Sequence, residues 1–186
     1  GFKGSWLTTI LSNWGAIVKG YALKPQSKDD FYIVNKVNKK CSSVIADINN
    51  LNLLEKEILA FNPQFIFHLA AQPLVRDSYN IPIETWNTNV MGTANVLNSV
   101  YKLEKKVVVI AVTTDKVYFN KGQDHPYNEK DQLGGVDPYS ASKASCELLI
   151  SSYRDSFYSN TDKKNKKLIA SVRAGNVIGG GDWSKD

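Results

Sequence analysis

The sequence predicts an α/β fold, a doubly wound parallel sheet with helices on both faces, and three observations carry that prediction. Apolar periodicity alternates between helix and strand from one end of the chain to the other. The strand segments include a continuous apolar run, Val107-Val108-Val109-Ile110-Ala111-Val112, as a strand covered on both faces requires. At 186 residues, the chain has the length of one domain with a sizeable core.

Residues 5–13, with Trp6, Leu7, Ile10 and Leu11 on one face, read as a short helix, and 16–23 as a strand. Residues 24–40 carry Pro25, Ser27, Asp29 and Asp30 and read mostly as loop, followed by a short strand around Val44 and Ile45 that ends at Asp47. A helix over about 51–61, a strand over 65–69, a helix running through 86–100 and a strand over 106–112 come next. The stretch 120–138 is long for a bare connection and reads as a functional loop. A helix over about 139–158 and a strand over 168–172 complete the alternation, which makes crossover helices between parallel strands.

Composition excludes several classes of function. No apolar run approaches the roughly 18 residues of a membrane span. Lys plus Arg is 23 against 18 Asp plus Glu, a net charge of +5, with Arg only at 76, 154 and 173. The lysines stand in short clusters (Lys36, Lys39, Lys40; Lys102, Lys105, Lys106; Lys163, Lys164, Lys166, Lys167) and read as solvated loops and helix ends, not a nucleic-acid surface. Cys41 and Cys146 lie far apart without a pairing His pattern, so they read as inert thiols in a reducing compartment, with no metal site.

Three constellations carry chemistry. Gly1-Phe2-Lys3-Gly4 stands before the first predicted helix, where paired glycines either let backbone approach a pyrophosphate at the helix N-terminus or simply cap it. The end of the second strand, Gly20-Tyr21-Ala22-Leu23-Lys24, has no carboxylate for a ribose hydroxyl, which leaves NAD against NADP open. Asp47 either accepts a hydrogen bond from an adenine amino group or caps the following helix. Tyr139 and Lys143 stand one helical turn apart, so an ammonium beside a phenol would favour the phenolate and make Tyr139 a base for a substrate alcohol; the bland reading is a half-buried Tyr and a surface Lys. Thr113-Thr114-Asp115-Lys116 directly follows the predicted strand, at the carboxyl end where such sheets bind ligands, and otherwise is only a polar strand end. His68 reads as a satisfied strand-end histidine.

These stretches, with His68-Leu69-Ala70-Ala71-Gln72-Pro73-Leu74-Val75-Arg76, Thr88-Asn89-Val90-Met91-Gly92-Thr93, Pro138-Tyr139-Ser140-Ala141-Ser142-Lys143 and Arg173-Ala174-Gly175-Asn176-Val177-Ile178-Gly179-Gly180-Gly181-Asp182-Trp183, resemble the extended short-chain dehydrogenase/reductases, in the branch of the nucleotide-sugar epimerases and dehydratases. The resemblance implies a Rossmann-like dinucleotide-binding domain over 1–186, with the first strand and a C-terminal substrate domain outside this stretch. It implies NAD as cofactor, NADP not excluded, held by Gly1, Phe2, Lys3, Gly4, Asp47, Ile48, Leu69, Ala70, Ala71, Tyr139 and Lys143. It further implies a redox-neutral 4,6-dehydration: oxidation at the hexose C4, loss of water across C5 and C6, and hydride return to C6.

By position, Tyr139 would be the C4 base, Lys143 its partner, Thr114 the hydroxyl orienting the C4 oxygen, Asp115 the acid at the C6 hydroxyl and Lys116 the base at C5, its pKa lowered by burial beside Lys143 or by the cofactor's positive ring. Gln72, Arg76 and Asn176 would meet the substrate, and Asn89 an active-site water or the helix geometry. Epimerases of the family carry small residues in place of Asp115 and Lys116, and other 4,6-dehydratases carry Glu in place of Lys116. The Asp-Lys pair, with Asp115 lying 24 residues before Tyr139, fits CDP-glucose as the substrate. The alternatives are an epimerase or another sugar dehydratase, or a dinucleotide-binding scaffold without turnover. A homodimer or higher homo-oligomer, formed through the helices at 86–100 and 139–158, and a cytoplasmic location complete the expectation.

Overall fold

Asn50 and Asn62 bracket the most regular helix. The Asn50 side chain accepts from the Leu53 amide at 3.2 Å, and Asn62 closes the far end in a left-handed conformation (φ 51°) just before Pro63, so the helix has both a start and a stop. This helix, α3 (Leu51–Phe61), coincides with its predicted span. The structure, a computed structural model of the chain, describes residues 1–122, 124, 126–159 and 162–182.

The elements run α1 (Phe2–Asn13), β1 (Lys19–Ala22), α2 (Phe31–Val34), β2 (Ser42–Ile45), α3, β3 (Phe65–His68), α4 (Val75–Asn80), α5 (Pro82–Trp86), α6 (Gly92–Tyr101), β4 (Val107–Thr114), α7 (Pro138–Tyr153) and β5 (Lys167–Ala174). All strand pairs are parallel: β1 with β2, and β3–β4–β5 in that order, with Phe65 opposite Val108 and Thr114 opposite Ala174. The two blocks share no ladder among the described residues. The parallel α/β architecture expected from the apolar alternation is present.

The core lies where α3, α6 and α7 cover β4. Leu97, Val100, Val107 and Val109 are fully buried, with Leu54, Leu103 and Ile150 against them. Each such side chain contributes about 1.5–3 kcal/mol of burial.

Several boundaries differ from the sequence reading. The first helix begins at Phe2, because the Ser5 amide and hydroxyl both reach the Gly1 carbonyl at 3.0 and 2.9 Å; Phe2, Lys3 and Gly4 are therefore its first turn rather than a loop before it. The presumed loop 24–40 contains α2, started by the Asp30 carbonyl accepting from Ile33 and Val34. The helix expected through 86–100 is built from α5, a wide π-type turn at Asn87–Met91, and α6, while α4 was not foreseen. The helix expected to reach 158 ends at Tyr153 and continues as a π-type turn, Arg154–Tyr158. Thr113 and Thr114 extend β4 by pairing with Arg173 and Ala174. Lys167 is not a solvated lysine: it is 4% exposed and its ammonium donates to the carbonyls of Leu103, Lys105 and Asn165. It thereby closes the far edge of the β4–β5 pair.

Candidate active site

The carboxyl end of β4 and the first two turns of α7 meet. Thr114 is the last residue of β4, and its hydroxyl donates to Asp115 Oδ1 at 3.1 Å and accepts from the Lys116 amide at 3.3 Å, which turns the chain into the single 3₁₀ turn Asp115–Val117. Beyond it, the chain folds back so that the Phe119 amide reaches the Gln132 carbonyl and the Gly134 amide reaches Val117, both at 2.8 Å. The next residue, Gly135, lies so close to α7 that a Cβ would stand 2.3 Å from the Ala141 nitrogen. Asp137 then caps α7, accepting from the Ser140 amide and hydroxyl at 2.9 and 2.6 Å, with Pro138 preset for the first turn.

Tyr139 and Lys143 stand on one face of this helix and are both buried, as is Thr114. The Lys143 ammonium donates to the Val112 carbonyl at 3.0 Å. The expected lowering of the phenol by that ammonium is not what dominates. Burial pushes the Tyr139 phenol up, the Thr114 hydroxyl opposes this as a hydrogen-bond partner, and Asp115 and Asp137 reinforce the rise. Burial lowers Lys143, Cys146 and Glu147 oppose this, and the charge of Lys3 reinforces it. Asp115 and Lys116 are exposed, so the burial expected around Lys116 is absent.

The remaining predicted positions sort into different surroundings. Gly1 caps α1 without a side-chain partner, and open space lies beside both Gly1 and Gly4, with Phe2 and Lys3 half-buried between them. Asp47 is exposed and accepts from the Asn49 amide at 2.8 Å, while the cap of α3 is Asn50; the capping alternative for Asp47 is thus filled by another residue. The Ile48 side chain is in the core against Gly92. Leu69, Ala70 and Ala71 leave the end of β3 half-buried. The Gln72 carboxamide is engaged within its own loop, accepting from the Leu74 amide and donating to the Leu74 carbonyl and Thr85. Arg76 and Asn176 are exposed, and Trp183 lies outside the described residues.

Asn89, in the π-type turn, accepts from the Gln72 amide at 2.9 Å and donates to the Gln72 carbonyl and to Ser142 Oγ at 2.8 Å, so it ties the loop after β3 to α7. His68 is buried and bonded to Thr93 at 2.9 Å, as a satisfied strand-end residue should be; burial, then the charge of Lys143, hold its pKa down at about 3. After β5 the chain returns over α1, where Trp6 Nε1 donates to the Gly180 carbonyl at 2.9 Å. The residues that sequence reasoning missed are Glu147 and Tyr118. Glu147 continues the i, i+4 series of Tyr139 and Lys143, and that spacing was the available signal.

Such a constellation can hold an alcohol beside a phenol and a threonine, with a carboxylate and an amine one turn away. The sequence model of the GDP-mannose 4,6 dehydratase family matches residues 1–163. The chain is similar to a CDP-glucose 4,6-dehydratase of Salmonella typhimurium, 46% identical over 187 residues that cover 100% of this chain and 52% of that protein. It is also similar to a dTDP-D-glucose 4,6-dehydratase of Dictyostelium discoideum, 34% identical over 140 residues covering 69% of this chain and 29% of that protein. Among solved structures, a UDP-glucuronic acid 4-epimerase from Bacillus cereus in complex with UDP-glucuronic acid and NAD superposes with a TM-score of 0.75 at 25% identity, covering 93% of this chain and 53% of that one. The chain spans about half the length of the dehydratase it matches from end to end. By the family model that covers most of its residues, and by the parallel α/β fold it shares with the epimerase, the chain belongs to the GDP-mannose 4,6 dehydratase family of nucleotide-sugar enzymes.

Proposed function

We propose that the full-length protein is an NAD-dependent nucleotide-sugar 4,6-dehydratase acting on CDP-glucose, and that residues 1–186 form its dinucleotide-binding domain. The reading rests above all on the convergence of Thr114, Tyr139 and Lys143 beside the Asp115–Lys116 turn. The identity to a CDP-glucose dehydratase across the whole chain supports the choice of base.

The residues present fit the cofactor. The uncapped N-terminus of α1, with open space at Gly1 and Gly4, suits a pyrophosphate, and Phe2 and Lys3 line the same turn. Asp47 and the Ile48 backbone would hold the adenine, Leu69, Ala70 and Ala71 at the end of β3 would line the cofactor, and Lys143 would hold a ribose. Bound NAD supplies the acceptor for the C4 hydride and the donor that returns it to C6.

Tyr139 takes the proton of the C4 hydroxyl while Thr114 holds its oxygen. The Thr114 hydroxyl opposes the rise that burial imposes on the phenol. Once C4 is a ketone, the C5 proton is acidic, and Lys116 removes it while Asp115 protonates the departing C6 hydroxyl. The Thr114 hydroxyl, a hydrogen-bond partner of Tyr139, also bonds Asp115, so the two halves of the site adjoin. Arg76 and Asn176, both exposed, would meet the substrate's diphosphate, and the Gln72 carboxamide holds its own loop through Leu74. The exposed apolar residues Ile83, Trp86, Met91 and Leu148 on α5, the π-type turn and α7 suit a homodimer contact.

The test supplies the NAD-loaded full-length protein with CDP-glucose and, separately, with dTDP-, UDP- and GDP-sugars. A 4-keto-6-deoxy product from CDP-glucose without net NADH is expected. Net NADH accumulation instead would make it a simple dehydrogenase and remove Asp115 and Lys116 from the chemistry.

A further inference from the structure

One buried carboxylate on α7 gathers donors from two strands and takes no part in the chemistry above. Glu147 stands one turn beyond Lys143 in α7, its side chain 6% exposed. Its Oε1 accepts from the Thr113 hydroxyl, and its Oε2 accepts from Ser171 Oγ at 2.8 Å and Arg173 Nη2 at 3.0 Å. Thr113 and Arg173 are register partners across β4 and β5, so the carboxylate clamps both strand ends onto the helix that carries Tyr139. The Arg173 guanidinium also lies 4.9 Å over the ring of Tyr118, which stacks on Tyr127 at 4.9 Å and 10°. Tyr118 is the residue immediately after the Asp115–Val117 turn.

We propose that Glu147 is a positioning residue that, through Arg173 and Tyr118, sets the place of the Asp115–Lys116 turn relative to Tyr139. This rests on the reading of Asp115 and Lys116 as the elimination pair. Geometry requires an acceptor on both sides of the carboxylate: a glutamine at 147 has one acceptor oxygen and turns an NH₂ toward a donor, leaving Arg173 without its counter-charge. A guanidinium over an aromatic face holds the ring laterally as well as by attraction, so the link from Arg173 to Tyr118 carries the position of the strand ends into the turn.

The consequence is selective. Tyr139 and Thr114 serve oxidation at C4 and are fixed by α7 and β4 themselves, whereas Asp115 and Lys116 serve elimination and depend on the turn. Displacement of the turn therefore slows the second half of the reaction and spares the first.

The test uses the NAD-loaded full-length protein in single turnover with CDP-glucose, following the reduced-nicotinamide absorbance and the keto product. Tyr118→Leu, which keeps the Glu147 cluster, is expected to leave the rise of the transient within about twofold and slow its decay about tenfold to a hundredfold, with KM unchanged. Glu147→Gln is expected to slow the same phase, with partial rescue by Glu147→Asp. Equal slowing of both phases in Tyr118→Leu, or no slowing, overturns the proposal.

Amide hydrogen exchange at residues 116–118 gives a second readout independent of turnover. Faster exchange there in Tyr118→Leu, with β1 and β2 unchanged, supports the proposal, and unchanged exchange overturns it. Absence of product from the unsubstituted protein with every nucleotide sugar overturns the functional reading instead, and the exchange measurement then decides the positioning alone.

Discussion

Lys143 Nζ lies 3.0 Å from the carbonyl oxygen of Val112, two residues before Thr114. That bond pins the middle of α7 to the strand end, so the Tyr139 phenol, one turn earlier, stands over Thr114 by construction. Helix and strand each carry half of the site, and a buried ammonium joins them.

Tyr139→Phe in the full-length protein is expected to lower dehydratase kcat by about 10²–10⁴-fold, since it removes the proton acceptor and little else. The ring itself remains packed, so the melting temperature should hold within a few degrees. Full turnover by this variant would remove Tyr139 from the role of base.

His68 makes stability depend on pH. Its folded pKa of about 3 lies below the ordinary 6.5, so the unfolded chain binds the proton more readily. The stabilisation is fully present above pH about 6.5 and is lost progressively as pH falls toward 3, roughly 5 kcal/mol at full extent. Urea titrations from pH 7 to pH 4 should show a decline in unfolding free energy that His68→Gln flattens. An identical decline in both proteins would mean that other groups govern the acid limb.

Two glycines are packed tightly for different reasons and should respond differently to alanine. A Cβ at Gly135 meets backbone of α7, at 2.3 Å from the Ala141 nitrogen, whereas at Gly92 it meets a side-chain methyl, Ile48 Cγ2, at 2.7 Å. Gly135→Ala is expected to cost about 3 kcal/mol or more, and Gly92→Ala about 1 kcal/mol, since the helix also favours alanine there. Thermal or urea unfolding ranks the two, and the reverse order would contradict the packing described.

Lys167→Met keeps the length of the buried stem and removes the ammonium that serves three carbonyls. The loss is expected to be about 2–4 kcal/mol, far above that of an exposed lysine. Lys163→Met, in the loop before β5, should change stability by no more than about 0.5 kcal/mol.

Much was legible before folding. The apolar run at 107–112 reads as a strand covered on both faces, and the periodicity over 51–61 gave α3 its observed span. The pairing of Tyr139 with Lys143 followed from helical periodicity alone. Where the sequence misled, a long-range partner had overruled local chemistry. Lys167 lies in a lysine-rich stretch, yet carbonyls 62 and 64 residues away in the chain draw it inside. The first helix absorbed Gly4 because Ser5 found the Gly1 carbonyl.

Residue types and short spacings determined the α/β class, the alternation of elements and the pairing of Tyr139 with Lys143 on one helix face, because those depend on contacts within a turn or along a strand. Only the tertiary structure decided that Thr114 meets Tyr139, that Asn89 ties the Gln72 loop to α7, and that Glu147 joins β4, β5 and α7. Those contacts span from 17 to 53 positions of sequence. Their partners are chosen by which strand ends and helix faces the shared core brings together, and no local propensity encodes that choice.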